Sequence, residues 1–210
     1  MNKTQVKLIE AAEHEFAKHG FHGASIRDIT ARAKANIAAV NYHFGSKETL
    51  FIEMIRHRLE PLNTLRIELL DDAVAKAGKR PLKIRRIVDI LVRPMVESVV
   101  NGPQNRNFMR AMGRGMSEES EFMQQIYKDV LAKVVERFRL EMARSLADLP
   151  ESVVAICFAY LRSTLSGVMQ IRKNNLVLDT SIQFPDADTL VAYISGGIEA
   201  IAKDYRTQNK

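Results

Sequence analysis

The chain has almost no cysteine, the residue that forms disulfides and thiolate metal sites. Of its 210 residues, one is cysteine, Cys157, and none is tryptophan. A single cysteine excludes an intrachain disulfide and a zinc site built from several thiolates. Cys157 lies in the apolar run VVAICFAYL, which predicts a buried and unreactive thiol.

The chain also lacks an apolar run of the length that a transmembrane helix needs, about 20 residues. Acidic residues interrupt the amphipathic stretch MNKTQVKLIEAAEHEF, so we expect no signal peptide. These features predict a soluble, cytoplasmic protein with no membrane partner. The net charge of +6 favours a polyanionic partner, although a basic surface would also suit acidic lipids.

Sequence motifs of common enzyme classes are absent as well. The chain contains no P-loop, no GxSxG and no GxGxxG. His19 and His22 flank Gly20 and lack the helical spacing of a paired metal site. No nucleophile has a recognisable base. We therefore predict no catalytic residue, no metal site and no cofactor.

The pattern of apolar residues and breakers predicts an all-α protein. Helical periodicity recurs along the whole chain, punctuated by Pro and Gly, and no segment has the alternation of a strand. The first helix is expected over Thr4–His19, ended by Gly20, with Phe21 packing back on it. A helix begun near Ser46 is expected to stop before Pro61, and Pro94 predicts a kink or break near Val92.

The stretch from Ser25 to Leu50 predicts two short helices joined by a tight turn. Ser25 and Asn36 are good N-caps for them. The second helix, IAAVNYHF, is slim at Ala38 and Ala39 and carries polar groups near its end. Two interpretations fit. One is a helix-turn-helix that enters a DNA major groove. The other is an ordinary helical hairpin in which the polar ends of the tyrosine and histidine side chains face solvent.

Lys47 favours the first interpretation. It stands in the first turn of the helix that Ser46 caps, where the helix dipole prefers an acidic side chain. A lysine and open N–H groups at one helix end suit an incoming anion such as phosphate.

This region resembles the N-terminal domain of TetR-type transcriptional repressors. The resemblance rests on IEAAEHEFAKHGF, SIRDITARAKAN and YHFGSKETL. It implies a three-helix DNA-binding domain over residues 1–50, followed by a larger helical ligand-binding and dimerisation domain over 51–210. The DNA-binding residues predicted in this way are Ser25, Arg27, Asn36, Ala38, Ala39, Asn41, Tyr42, His43 and Lys47.

The chain departs from the family pattern at three positions. Lys34 stands where the turn usually has glycine, so a residue with a side chain is expected to adopt a left-handed conformation. Thr30 replaces a small alanine between the helices. Asn41 replaces the usual tyrosine and can itself read adenine.

Methionines and phenylalanines cluster in the second domain and indicate either ordinary core packing or a pocket for a hydrophobic ligand. The resemblance to TetR-type repressors favours the pocket. Arg110 and Arg114 would bind an anionic head group there, or else pair with Glu118 or Glu119 on the surface. The predicted ligand-binding residues are Met95, Phe108, Met109, Arg110, Met112, Arg114, Met116, Phe122, Met123 and Phe158.

The last two long helices are predicted to form a homodimer surface. The alternative is that their apolar stripes pack inside one chain. A dimer would present two recognition helices to two half-sites. The predicted interface residues are Leu161, Leu165, Met169, Tyr193, Ile194, Gly197, Ile198 and Ile201.

These predictions together describe a repressor that binds double-stranded operator DNA and is released by a small hydrophobic effector, which would move the helix begun at Ser46. VNYHFGSK with FMRAMGRGMSEESEF resembles, less specifically, a subgroup that responds to fatty acids or acyl-CoA. Two alternatives remain: a DNA-binding protein of the same fold without a metabolite ligand, and a helical lipid-binding protein.

Overall fold

The structure, a computed structural model, describes residues 1–100, 107–108, 111–112, 121–171 and 186–209. All regular elements in these ranges are helical, which confirms the predicted all-α class. They are α1 (Lys3–Gly23), α2 (Ile26–Ala33), α3 (Ile37–Phe44), α4 (Lys47–Ala77), α5 (Ile84–Val100), α6 (Glu121–Ile126), a π-helical turn (Tyr127–Leu131), α7 (Ala132–Ser145), α8 (Glu151–Ile171) and α9 (Ala187–Gln208).

Helix α1 begins and ends on local signals. Asn2 and Gln5 form a reciprocal capping box, which satisfies backbone donors of the first turn. Gly20 adopts a positive φ of 74°, and the helical path is interrupted there as the sequence predicts. Phe21 folds back so that its ring stacks on Phe16 at 5.8 Å between centroids. The ring of Phe51 packs edge-on against Phe16 at 4.9 Å and completes an aromatic core.

The predicted helix end before Pro61 is wrong, because α4 runs on through the proline. A proline removes one helical N–H, which leaves the carbonyl four residues earlier, that of His57, without its bond. Pro61 and His57 are both exposed, so water can satisfy this carbonyl. Leu59 before the proline and Leu70 beyond it are buried, and one continuous helix keeps both in apolar contacts.

Of the kink or break predicted near Val92, the break is absent, since α5 continues through Pro94, while the kink stays a prediction. Val88 and Val92 are fully buried before the proline, and Met95 and Val96 are buried directly after it. Burial on both sides again stabilises the helix by more than the one missing hydrogen bond costs.

Contacts divide the chain into two units. The first contains Met1–Pro61 and the described residues of Asn101–Ala132; the second contains the described residues of Leu62–Val100 and Lys133–Lys210. The second has an apolar core that includes Leu70, Ile87 and Phe138. The predicted domain boundary at residue 50 stays a prediction.

Cys157 is fully buried in the core of the second unit. Burial raises the pKa of its thiol, which keeps the group in the less reactive protonated form, as the sequence predicts. None of the described helices combines the length and the apolar composition needed to cross a lipid bilayer.

Candidate nucleic-acid interface

Helix α2 is closed at both ends by its own residues. The Ser25 hydroxyl accepts the Asp28 N–H at 3.1 Å and donates to the Asp28 carboxylate at 2.5 Å. Lys34 ends the helix at φ 52° and ψ 45°, which confirms the left-handed conformation expected there. The Ala35 N–H bonds the Thr30 carbonyl at 2.9 Å, so the turn to the next helix is short and fixed.

Thr30 fits between the helices although it is larger than alanine. Its side chain is buried, and its hydroxyl donates within its own helix to the carbonyls of Ile26 and Arg27, at 2.9 and 3.0 Å. A buried hydroxyl bonded in this way avoids the cost of an unsatisfied polar group.

Helix α3 buries one side and leaves the other open. The Asn36 side chain caps it by accepting the Ala38 N–H at 3.0 Å. Val40 and Phe44 are buried, whereas Tyr42 is 85% exposed. The open side also carries Ile37, Ala38 and Asn41. Methyl groups that can meet thymine and an amide that can pair with adenine suit the floor of a major groove.

Basic and aromatic groups flank this open side. The ring of Tyr42 packs edge-on to that of half-buried His43 at 4.9 Å. The Lys47 ammonium donates to the Ala24 carbonyl at 3.0 Å and lies 4.7 Å from the Phe21 ring centre. These contacts hold one positive charge beside the start of α2 and leave further N–H donors for a phosphate.

Arg27 is exposed in the first turn of α2. Within the described ranges its guanidinium makes no hydrogen bond or ion pair, so it can reach a base or a phosphate without breaking a protein contact. DNA contact by Arg27, Tyr42, His43 and Lys47 stays a prediction. Ser25 and Asn36, two others of the predicted set, are engaged as helix caps.

Two buried acidic residues on α1 hold this region together. The Glu13 carboxylate accepts two hydrogen bonds from Arg58 of α4, at 2.5 and 2.8 Å. The Glu15 carboxylate accepts from Arg32 of α2 at 2.7 Å. Burial alone would raise the pKa of Glu15, but hydrogen bonds from Arg32 and His14 outweigh it and lower that pKa.

Sequence reasoning missed both ion pairs. The available signal was Glu13 on the apolar face, three residues before fully buried Phe16.

The predicted ligand residues are distributed over both units. Met95 and Phe158 lie in the core of the second unit, while Phe108 and Met112 are buried residues of the first. Met109, Arg110, Arg114 and Met116, and the side chains of Phe122 and Met123, lie outside the described part of the chain. Within that part, no His, Cys, Asp and Glu side chains gather as metal ligands do. Ligand contact stays a prediction.

The predicted dimer residues differ in how far their own chain buries them, and dimer contact by them stays a prediction. Leu161, Ile194 and Ile198 are buried in the core of their own chain. Leu165 and Ile201 are partly buried against that core, and the side chain of Met169 lies outside the described residues. Tyr193 and Gly197 are exposed as an interface requires.

Both helices also carry large apolar groups that are exposed. Ile156 and Tyr160 of α8 are 48% and 60% exposed, and Tyr193 of α9 is 70% exposed. Periodicity identified a stripe on each helix but not which stripe its own chain covers.

Known family models match both the N-terminal and the C-terminal part of the chain. Residues 8–54 match the family model described as bacterial regulatory proteins, tetR family, and residues 89–197 match that of the tetracyclin repressor-like C-terminal domain. The HTH-type transcriptional repressor NicS of Pseudomonas putida is 38% identical over 74 residues, which cover 33% of this chain and 35% of NicS. The dual regulator CecR of Shigella flexneri is 48% identical over 46 residues, 22% of this chain and 20% of CecR. The chain thus spans about a third or less of these two curated relatives.

Solved structures share the whole fold at low sequence identity. FadR from Bacillus subtilis, solved in complex with stearoyl-CoA, superposes with a TM-score of 0.66 at 13% identity, over 94% of this chain and 97% of that one. PfmR from Thermus thermophilus superposes with a TM-score of 0.63 at 21% identity, over 92% and 95%. Since one family model accounts for more than half of the chain and a second accounts for the helix-turn-helix, the chain belongs to the TetR family of transcriptional regulators.

Proposed function

We propose that the protein is a cytoplasmic, sequence-specific repressor that binds operator DNA as a homodimer and is released by a hydrophobic effector. The observation that carries the DNA-binding part is the one-sided burial of α3. The helix is anchored by Val40 and Phe44 and presents Ala38, Asn41 and Tyr42 outward. Caps at both ends fix its position before DNA arrives, so little ordering is needed on binding.

The exposed apolar groups of α8 and α9 support a dimer. Large exposed apolar groups on both helices, Ile156, Tyr160 and Tyr193, are costly to leave in water together. Gly196 and Gly197 are helical and exposed, and a Cβ added at either would meet nothing within 4 Å. Glycine in a helix costs about 1 kcal/mol relative to alanine. Close approach of a helix from a second copy would account for both glycines.

A fatty acid or an acyl-CoA is the effector class we propose. Two observations support this class. The predicted second domain, residues 51–210, contains many methionines and phenylalanines. The chain also shares its fold with FadR, whose structure holds stearoyl-CoA. Such an effector acts only through unequal affinity for the DNA-bound and DNA-free arrangements of the protein. Because α4 begins at Lys47 and extends to Ala77, it is the element through which we expect that difference to act.

Selection from a random duplex library tests the DNA-binding part. We expect enrichment of a palindromic site that binds one dimer, with an affinity that falls steeply as salt rises. A scrambled duplex of the same length and composition is the control. Equal affinity for both duplexes at every salt concentration would contradict the proposal.

Addition of oleate or oleoyl-CoA to the preformed complex tests the effector class. We expect either compound to release the selected duplex. Specific DNA binding that neither compound alters would favour a regulator of the same fold without this ligand.

A further inference from the structure

Arg66 of α4 is a buried arginine in the second unit. Its residue surface is 6% exposed. It shares one face of α4 with Asn63, Leu70 and Ala73, which are also buried and recur at helical spacing. Along this face the buried groups therefore change from an amide and a guanidinium to apolar side chains.

The hydrogen-bond partners of Arg66 are neutral. Its Nε donates to the Leu91 carbonyl of α5 at 2.8 Å, and its Nη1 donates to the Asn63 amide oxygen at 3.2 Å. Among the described residues no carboxylate forms an ion pair with it. In contrast, Arg58 has Glu13, and Arg137 has Asp71 and Glu141.

An arginine buried without an anion is unusual, because burial of a charge is costly unless it is paired. Burial alone lowers the pKa of Arg66 to about 10, and the group therefore still carries its charge at neutral pH. The two hydrogen bonds use two of the five N–H donors of the guanidinium. The remaining donors form a planar fork of the kind that binds carboxylate and phosphate.

We propose that Arg66, oriented by Asn63, binds the anionic oxygen group of the effector. The ligand chemistry that fits is an oxyanion, carboxylate or phosphate, joined to an apolar chain, because apolar Leu70 and Ala73 continue the same face. This proposal rests on the proposed effector-controlled function and supplies its anion site. It assigns that site to α4, whereas the sequence offered Arg110 and Arg114 as candidates for it, with surface ion pairs as their alternative role.

The position of Arg66 also indicates how ligand binding would alter the contact between α4 and α5. The same guanidinium that would bind the anion bonds the Leu91 carbonyl, three residues before Pro94. A ligand that pulls on the guanidinium changes this bond between α4 and α5. Arg66 is therefore a group whose contacts differ between the ligand-free and ligand-bound states, as coupling requires.

The test compares Arg66→Met with wild type in the full-length protein, using oleate, oleoyl-CoA and oleyl alcohol as probes. Methionine keeps much of the length and apolar contact of the stem but removes the charge. Arg93→Met on α5 is the matched control, since Arg93 is paired with Asp89 and Asp188. Binding is measured by calorimetry, and release of the selected duplex by fluorescence anisotropy.

We expect wild type to bind at least one anionic probe about 10-fold more tightly than the alcohol, or better. The reason is that the alcohol cannot form the charge-assisted hydrogen bonds that an anion forms with the guanidinium. Arg66→Met should lose this preference while its affinity for the alcohol is unchanged, and Arg93→Met should behave as wild type. Preference for oleate would identify a carboxylate, and preference for oleoyl-CoA alone a phosphate. If Arg66→Met fails to fold, Arg66→Lys keeps the charge without the fork and should weaken the preference.

Two results separate this proposal from the function on which it rests. A preference for the anion that survives Arg66→Met would overturn the Arg66 site and leave effector control intact. Where the methionine variant does not fold, a preference that Arg66→Lys leaves undiminished would do the same. Arg66-dependent binding without release of DNA would support the site and overturn effector control. Binding of neither anionic probe to wild type would overturn the site directly.

Discussion

Replacing Arg58 by methionine tests whether a buried ion pair holds α4 on α1. The Glu13 side chain is 5% exposed, so its charge loses its main stabilising partner when the guanidinium is removed, and water replaces that partner only in part. Removing one partner of a buried pair costs about 3–5 kcal/mol. Arg58 is itself 26% exposed, and some water can enter the space that it leaves. We therefore expect a loss near the lower end, about 3 kcal/mol of unfolding free energy at pH 7.

Urea unfolding followed by circular dichroism measures this loss. Arg56→Met is the matched control on the same helix, because Arg56 pairs with Glu53 and Asp129, and all three side chains are about one-third exposed. We expect this change to cost less than about 1 kcal/mol. Glu13→Leu added to Arg58→Met should regain most of the stability, since no buried charge then remains.

Two results would refute this reasoning. One is a loss for Arg58→Met no larger than that for Arg56→Met. The other is no recovery of stability when Glu13→Leu is added.

Three further changes probe the phosphate contacts, the left-handed turn after α2 and the dimer. Lys47→Ala should weaken binding to all duplexes and reduce the salt slope by about one counterion, and an unchanged slope would remove Lys47 from the phosphate contacts. Lys34→Gly should stabilise the protein by about 0.5–1 kcal/mol in urea unfolding, because glycine has no Cβ to strain the left-handed turn. Lys34→Ala, which removes the same charge but keeps a Cβ, is its control, and equal stability of the two variants would contradict the strain. Gly197→Leu places a large side chain in open space of the single chain, so it should fold yet sediment as a monomer and lose operator affinity. A Gly197→Leu dimer with full affinity would move the interface elsewhere.

The helix-turn-helix could be predicted because its signals are local. The caps at Ser25 and Asn36 and the left-handed turn at Lys34 depend on atoms within about four residues along the chain. Each of these predictions is confirmed. Local geometry alone was compatible with either DNA recognition or a plain helical hairpin. The resemblance to the family motif is what indicated DNA recognition.

Local rules failed where distant contacts outweigh them. Pro61 and Pro94 each cost their helix one hydrogen bond, yet buried side chains on both sides keep α4 and α5 continuous. The apolar stripe through Leu161 and Ile194 was visible in the sequence, but a stripe does not say whether its own chain or a second copy covers it.

The sequence by itself determined the helical class, the capped DNA-reading motif and the family, because periodicity, capping and motif spacing act over short distances. Tertiary structure alone decided which helix faces remain open and which charges are paired. Arg66 illustrates the difference: in the sequence it is one arginine among many. Only the packing of α4 beside the Leu91 carbonyl makes it a buried charge whose acceptors among the described residues are neutral. The cost of a charge depends on what surrounds it in space, and no local pattern carries that information.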